Sequence, residues 1–289
     1  MMDDPVALRS RLLCWFFGGV MARRLRRGFH AVRLARPGWP ALSPDRPVIV
    51  YLNHPSWWDP ALLIVMGTTR FRGRPGYGPI DTKMLRRYRF MRRIGLFGLD
   101  PGRAGAVSFL RNAEHILSDP RAMLWITAEG AFTDPRRRPV TLRPGIAHLV
   151  RRMPTALLVP LAVEYPFWDE RTPEALMRFG HPFEAAALAG LPVQDIAAEL
   201  EGRLEAVMDQ LAHDAQSRDP ARFLTLIEGT VGVGGIYDLW RRLRALAGGQ
   251  AFSPAHGSRE EGGRQGSSRQ GPARQQEMRQ EMQQEIEGP

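Results

Sequence analysis

The chain has 289 residues and carries 40 basic side chains against 30 acidic ones, which gives a net charge of +10 at pH 7. Hydrophobic residues make up 44% and charged residues 24%, which is ordinary for a globular protein of one large or two small domains. Cys14 is the single cysteine, so an intramolecular disulfide is excluded and the chain suits a reducing compartment. The positive charge favours polyanionic partners, which are nucleic acid, an anionic membrane surface or phosphorylated small molecules.

The N-terminal region contains an uncharged apolar run, LLCWFFGGVMA (12–22), followed by the basic sequence RRLRR. As a helix this run would be about 16 Å long, roughly half of a bilayer core, so we expect no membrane span. The basic cluster follows the run and no small-residue cleavage site is visible, which argues against a signal peptide. We interpret residues 1–45 as an amphipathic segment whose helix lies in a membrane interface. The alternative is a helix packed on the domain with its arginines facing water.

Strand and helix patterns alternate between residues 47 and 212. Continuous apolar runs predict buried strands, and apolar residues at helical spacing predict helices. The predicted strands are 47–53, 92–100, 122–127, 155–165 and 175–183, and the predicted helices are 60–66, 104–120, 144–152 and 193–215. The alternation predicts an α/β domain over 46–215, with a central, largely parallel sheet flanked by helices. Residues 216–249 are interpreted as a C-terminal helical extension, and the polar residues 250–289 as a disordered tail.

The sequence NHPSWWDP (53–60) joins a predicted strand to a predicted helix and contains one histidine and one aspartate. Pro55 disfavours a helix through His54, so a tight loop can bring the imidazole of His54 to the carboxylate of Asp59. In such a pair the carboxylate holds one ring nitrogen, and the other nitrogen can take a proton from a hydroxyl. The pattern therefore predicts a general-base site at the end of the strand.

The residues alone leave other roles open for this stretch. Asp59 before Pro60 is also the pattern of a helix N-cap, and His54 can be a hydrogen-bonded loop residue. Ser56 is a candidate nucleophile, although no G-x-S-x-G sequence surrounds it. No second cluster supplies a third ligand at metal-binding spacing, so we expect no metal.

The stretch NHPSWWDP resembles the first block of the glycerolipid acyltransferase family, the PlsC-like lysophospholipid acyltransferases, whose signature is His, four residues, Asp. Three later stretches are similar to the second, third and fourth blocks of that family and occur in the same order. They are GLFGLDPGR (95–103), ITAEGAF (126–132) and LLVPLAVEY (157–165). The resemblance covers residues 47–165 and implies the same α/β fold.

The resemblance implies that His54 is the general base and that Asp59 orients it. Glu129 and Gly130 match the acceptor-binding block. The third block reads Ala131-Phe132-Thr133 where the family usually has Thr-Arg-Ser, and Pro101 stands where the second block usually has arginine. We therefore expect other arginines to bind an acceptor phosphate, and two tryptophans to wall an acyl-chain pocket. These residues are Arg103, Arg136, Arg137, Arg138 and Arg143, with Trp57 and Trp58.

The sequence thus predicts a peripheral, membrane-associated O-acyltransferase on the cytoplasmic face of the membrane. It would move a fatty acyl group from acyl-CoA or acyl carrier protein to a hydroxyl of a lysophospholipid-type acceptor such as 1-acyl-glycerol-3-phosphate. We expect no cofactor beyond this co-substrate and no nucleic acid. One alternative is a non-catalytic lipid-binding relative of the same fold. Another is a basic nucleic-acid-binding protein, although the sequence lacks zinc-ligand spacing and an RNP-like motif.

Overall fold

A nine-stranded sheet forms the centre of residues 4–229, the part of the chain that the computed structural model describes. The strands are β1 (Ala31–Ala35), β2 (Val48–Leu52), β3 (Gly76–Asp81), β4 (Leu96–Leu99), β5 (Met123–Thr127), β6 (Leu157–Glu164), β7 (Glu174–Phe179), β8 (Phe183–Glu184) and β9 (Phe223–Glu228). Their order is β4-β3-β5-β2-β6-β7-β1-β9, and β8 pairs with β6. The first five strands in this order are mutually parallel. β7 runs antiparallel to β6, and β1 is parallel to β7 but antiparallel to β9.

Helices cover both faces of the sheet. They are α1 (Pro5–Leu8), α2 (Arg11–Gly28), α3 (Asp59–Thr68), α4 (Thr82–Arg87), α5 (Gly102–Leu117), α6 (Gly145–Arg152) and α7 (Val193–Ser217), with 3-10 turns at Arg89–Ile94, Ala185–Ala187 and Pro220–Arg222. In β2, Ile49 and Tyr51 pack with α5, α6 and α7, whereas Val50 and Leu52 pack with α2 and α3. Because successive side chains of a strand point to opposite faces, a strand buried on both faces reads as a continuous apolar run.

The predicted α/β class with a largely parallel central sheet is confirmed. The apolar runs at 47–53, 122–127, 155–165 and 175–183 correspond to β2, β5, β6 and β7, and the four predicted helices correspond to α3, α5, α6 and α7. The predicted strand at 92–100 is shorter, because Arg89–Ile94 forms a 3-10 turn that ends at Gly95 in the left-handed region with φ 96°.

The sheet extends beyond the predicted domain limits of 46 and 215. Strand β1 lies inside the segment assigned to the membrane interface, and β9 lies inside the extension predicted to be helical, so both assignments were wrong for these residues. The apolar run of β1 is interrupted by Arg33. The charge of Arg33 is buried, and it is compensated by Glu174, whose Oε2 lies 2.9 Å from Arg33 Nε. Strand β3 was missed because its sequence, GYGPID, contains residues that are rare in strands. Predictions for residues 230–249 and 250–289 lie outside the described residues.

Helix α2 is packed on the domain along one side and exposed along the other. Its buried side includes Cys14, Gly18 and Leu25, and a Cβ atom at Gly18 would lie 2.2 Å from Thr68 Oγ1 of α3. Its exposed side carries Leu12, Trp15 and Phe16, and Trp15 is 71% exposed. The N-terminal helix therefore belongs to the fold and also presents aromatic side chains to the surroundings. Within residues 4–229, no helix combines the length and the apolar character needed to cross a bilayer.

Candidate active site

Asn53 fixes the position at which the chain leaves β2. Its side chain is fully buried, and its amide donates to the carbonyl of Val163 at 2.9 Å and accepts from the N–H of Val163 at 2.8 Å. Val163 lies near the end of β6, the parallel neighbour of β2. The buried amide is satisfied by the strand beside it, so it holds the carboxyl ends of the two strands together. The loop that carries His54 starts from this fixed point.

The tight loop brings His54 and Asp59 into contact, as the proline in the motif predicted. His54 Nδ1 lies 2.6 Å from Asp59 Oδ2, and the N–H of Ser56 donates to the same oxygen at 3.3 Å. Asp59 is fully buried and is the first residue of α3, but its side chain does not cap the helix, because Trp58 occupies the N-cap position. The His54 side chain is 17% exposed. Because Asp59 engages Nδ1, Nε2 is the ring nitrogen that can meet a substrate hydroxyl.

Tyr165 is a third member of the site that sequence reasoning did not assign. Its hydroxyl donates to Asp59 Oδ1 at 2.6 Å. Burial, followed by the charge of Asp59 beside it, raises the pKa of the Tyr165 phenol well above its usual value, so the hydroxyl keeps its proton. The available signal was its position, since Tyr165 directly follows β6 and therefore lies at the same edge of the sheet as the end of β2.

Glu129 connects the next strand to the same loop. It follows β5, the other parallel neighbour of β2, and its Oε2 accepts the backbone N–H of His54 at 2.6 Å. The N–H of Thr133 donates to the carbonyl of His54 at 3.0 Å, so both main-chain groups of His54 are bound by this loop. Burial raises the pKa of Glu129 from its usual value, and the hydrogen bond from His54 opposes that shift. The predicted acceptor-binding block thus supports the backbone of the predicted base.

Arg143 is the predicted arginine that lies against the Glu129-Gly130 turn. Gly130 has φ 68°, in the region that favours glycine, and a Cβ atom there would lie 2.7 Å from Cγ and 2.8 Å from Nε of Arg143. The N–H of Arg143 donates to the carbonyl of Ala128 at 2.8 Å. The guanidinium group of Arg143 can therefore lie beside the turn for two reasons. Gly130 has no side chain in its way, and the backbone hydrogen bond to Ala128 fixes the position of Arg143.

The other predicted arginines have different surroundings. Arg136 forms a two-pronged ion pair with Asp134, at 2.9 Å from Nε and 2.6 Å from Nη2. Arg138 binds Asp209 of α7, with 2.5 Å between Nη2 and Oδ1. Arg137 is exposed in the same loop, and Arg103 is exposed in the first turn of α5. Two members of the dense arginine run, Arg136 and Arg138, therefore bind different carboxylates.

Aromatic side chains lie in the motif that carries His54 and beside its imidazole ring. Trp57 is 66% exposed and stacks on Trp58 with ring centroids 4.4 Å apart, and Trp58 packs on Phe29 at 5.0 Å. Phe132, which the sequence analysis did not single out as a site residue, is 64% exposed and lies 4.5 Å from the His54 ring, centroid to centroid. Two clefts elsewhere on the surface, lined in part by Phe71 and Arg74 and by Leu85 and Phe97, do not include the pair. The acyl-chain pocket stays a prediction.

The fold and the site together define an α/β enzyme domain with an imidazole–carboxylate pair at the carboxyl ends of its parallel strands, where such sheets bind ligands. Among the described residues, no group of three or more His, Cys, Asp or Glu side chains is placed to hold a metal ion.

Comparison with known proteins finds a family match over part of the chain. Residues 35–164 match the family model described as Acyltransferase, and this range begins at the last residue of β1 and contains most or all of each of the four blocks. The match over residues 35–164 is to the family that the four blocks predicted. The crystal structure of the 1-acyl-sn-glycerophosphate (LPA) acyltransferase PlsC from Thermotoga maritima is similar to this chain with a TM-score of 0.49. The similarity covers 70% of this chain and 79% of that chain, at 14% sequence identity. A search of curated protein sequences found no significant match.

Proposed function

We propose that this acyltransferase moves a fatty acyl group from an acyl thioester, either acyl-CoA or acyl carrier protein, to a hydroxyl of a lysophospholipid-type acceptor. The observation that carries the proposal is the contact of 2.6 Å between His54 Nδ1 and a fully buried Asp59, in a chain that matches the acyltransferase family model. The pair supplies a general base at the carboxyl ends of the parallel strands. The non-catalytic alternative gives no reason for an aspartate to be buried against an imidazole.

In the proposed reaction, His54 Nε2 takes the proton of the acceptor hydroxyl while the hydroxyl oxygen attacks the thioester carbonyl carbon. The tetrahedral intermediate collapses, the C–S bond breaks, and the leaving thiolate receives the proton from the imidazolium ring. Asp59 holds Nδ1 and stabilises the positive charge that the ring carries between these steps. General-base catalysis of this kind typically contributes about 10² to 10⁴-fold.

For the acceptor, we propose that Arg143 meets the phosphate of the lyso-lipid beside the Glu129-Gly130 turn. Its guanidinium group lies against Gly130, in a loop that is hydrogen-bonded to the main chain of His54. Arginine suits this role because its planar group donates two parallel hydrogen bonds to a phosphate. Arg138 is less suited, since its guanidinium group is engaged by Asp209.

We further propose that α2 docks the domain on the cytoplasmic face of a membrane, where both acyl donors are found. Its outward side carries Leu12, Trp15 and Phe16 near the start and exposed arginines in the following turns, among them Arg23 and Arg26. An apolar, aromatic stripe beside basic side chains is the pattern of a helix that lies in the interface of an anionic bilayer. The other end of α2 is close to the site, because a Cβ atom at Gly28 would lie 2.9 Å from the ring of Trp58.

The test is acyl transfer from labelled acyl-CoA and acyl carrier protein to a panel of lyso-lipids on anionic vesicles, with the wild-type chain and His54→Ala. We expect the wild type to acylate at least one lyso-phospholipid and His54→Ala to lose about 10² to 10⁴-fold in turnover. Vesicle binding and the thermal transition of the variant should match those of the wild type. Equal turnover in both proteins would remove His54 as the base. Lipid binding without transfer by the wild type would favour the non-catalytic alternative.

A further inference from the structure

We propose that Tyr165 is a positioning residue for this reaction. Its hydroxyl fixes the plane of the Asp59 carboxylate, and the carboxylate in turn orients the imidazole of His54. The inference rests on the proposed function. Both oxygens of the Asp59 carboxylate have partners: Oδ2 contacts His54 Nδ1 and the N–H of Ser56, while Oδ1 accepts a hydrogen bond from the Tyr165 hydroxyl at 2.6 Å.

The hydrogen bond from Tyr165 to Asp59 Oδ1 matters for two reasons. A fully buried carboxylate is costly unless hydrogen bonds compensate for the lost water, and Oδ1 would be left without that compensation if the phenol were absent. The torsion that turns an aspartate carboxylate about its own bond is broad, so a contact at Oδ2 alone does not define the plane of the group. A strong donor at Oδ1 does define it. The imidazole then keeps one orientation through the contact at Nδ1.

Tyr165 is itself held in place by rigid neighbours. It directly follows β6, two residues beyond Val163, whose main chain is bound by Asn53. Its ring packs on Phe29 with centroids 5.4 Å apart, and Phe29 packs on Trp58 at 5.0 Å. A positioning group is effective only when its own rotamer is fixed by packing, and these contacts provide that support.

The variant Tyr165→Phe tests the inference because it removes the hydroxyl and keeps the ring that packs on Phe29. We expect kcat to fall about tenfold or more, with KM for both substrates little changed, because the hydroxyl acts on the base and not on substrate binding. Without the donor, Asp59 keeps more negative charge facing the imidazolium ring. The acid limb of the kcat/KM profile should therefore move to higher pH.

The matched control is Tyr51→Phe on β2. Tyr51 is fully buried in the core on the α7 face, and its hydroxyl has no hydrogen-bond partner among residues 4–229. Loss of this hydroxyl should leave kcat and the pH profile as in the wild type. Equal losses in the two variants would mean that the effect is one of packing and would overturn the inference.

The remaining outcomes separate the two proposals. If His54→Ala is inactive while Tyr165→Phe keeps the wild-type kcat and pH profile, the positioning role is wrong and the proposed function stands. If His54→Ala retains full turnover, the proposed general base is wrong whatever Tyr165→Phe does. A lower kcat in Tyr165→Phe with a shifted acid limb, together with an inactive His54→Ala, supports both.

Discussion

The Glu129 carboxylate accepts the backbone N–H of His54 at 2.6 Å, so an acidic side chain that follows β5 holds the main chain that leaves β2. The contact lies one residue from Asn53, which binds the same loop to β6. The predicted base is therefore fixed from both neighbouring strands. Two consequences can be measured. One concerns how the free energy of unfolding depends on pH, and the other concerns the stability of the domain when the bond to β6 is removed.

Glu129→Gln should change how stability depends on pH. Burial raises the folded-state pKa of Glu129 above its unfolded value near 4.5, so the folded state binds this proton more tightly. The free energy of unfolding therefore decreases as pH rises from about 4.5 through the raised value, and glutamine removes this contribution. Relative to the wild type, the variant should gain stability as pH rises through this window. Denaturant unfolding of both proteins from about pH 4 to pH 8 measures this change. A difference in the free energy of unfolding that stays constant with pH would contradict the raised pKa of Glu129.

Asn53→Ala should destabilise the domain and slow the reaction. The change leaves the N–H and carbonyl of Val163 buried without their present partner, and such a loss typically costs about 1 to 3 kcal/mol. It also releases the carboxyl end of β2 from β6, so the loop that carries His54 loses a fixed start. We expect a lower thermal midpoint together with a lower kcat. Addition of a mild stabilising osmolyte should restore the midpoint but not kcat, and recovery of both would show that stability alone was affected.

The Asp59 contact shows what sequence reasoning can reach here. The five-residue spacing and Pro55 predicted a turn that brings Asp59 to His54, and this turn is present because proline prevents a helix from continuing through His54. The same reasoning left open whether Asp59 caps α3, since a capping and a partnering aspartate have the same sequence pattern. Only the three-dimensional arrangement shows that the carboxylate is taken by a histidine and a tyrosine.

Tyr165 and β9 show what local sequence patterns do not specify. The contact between Tyr165 and Asp59 joins residues that are 106 positions apart, and it depends on which strands are neighbours, which no local pattern encodes. Strand β9 exists because it pairs with β1 at the sheet edge, and β1 itself was hidden by the buried charge of Arg33. Tertiary partners decide both cases, so local pattern reasoning missed them.

Ser56→Ala should retain most of the turnover, because the structure gives this side chain a local role. Ser56 Oγ accepts the N–H of Trp58 at 3.3 Å inside the turn, and the carboxylate of Asp59 is bound by the backbone N–H of Ser56, which alanine keeps. A covalent mechanism through this serine would predict a near-complete loss of turnover and an acyl-enzyme that accumulates without acceptor. Mass spectrometry of the protein incubated with acyl thioester alone separates the two mechanisms.

Gly130→Ala should weaken use of the acceptor more than use of the acyl donor. A side chain at φ 68° is strained by about 1 to 2 kcal/mol, and its Cβ atom would also displace the Arg143 side chain. We expect KM for the lyso-lipid to rise while KM for the thioester changes little. The matched control is Gly102→Ala, which has a similar φ of 80° but no atoms within 4 Å of the new Cβ. A similar rise in acceptor KM for both variants would point to backbone strain and would contradict the role of Arg143.

Trp15→Ser combined with Phe16→Ser should reduce binding to anionic vesicles without unfolding the domain. Both side chains lie on the exposed side of α2, so their loss removes apolar area that would enter the bilayer while the buried side with Leu25 is kept. Deletion of the whole N-terminal segment is a poor test, because it removes that buried side as well. The control is Phe167→Ser combined with Val107→Ser, which removes exposed apolar side chains at other places on the surface. Cosedimentation at low and high salt should show weaker binding for the α2 variant only, and equal binding by all three proteins would place the membrane contact elsewhere.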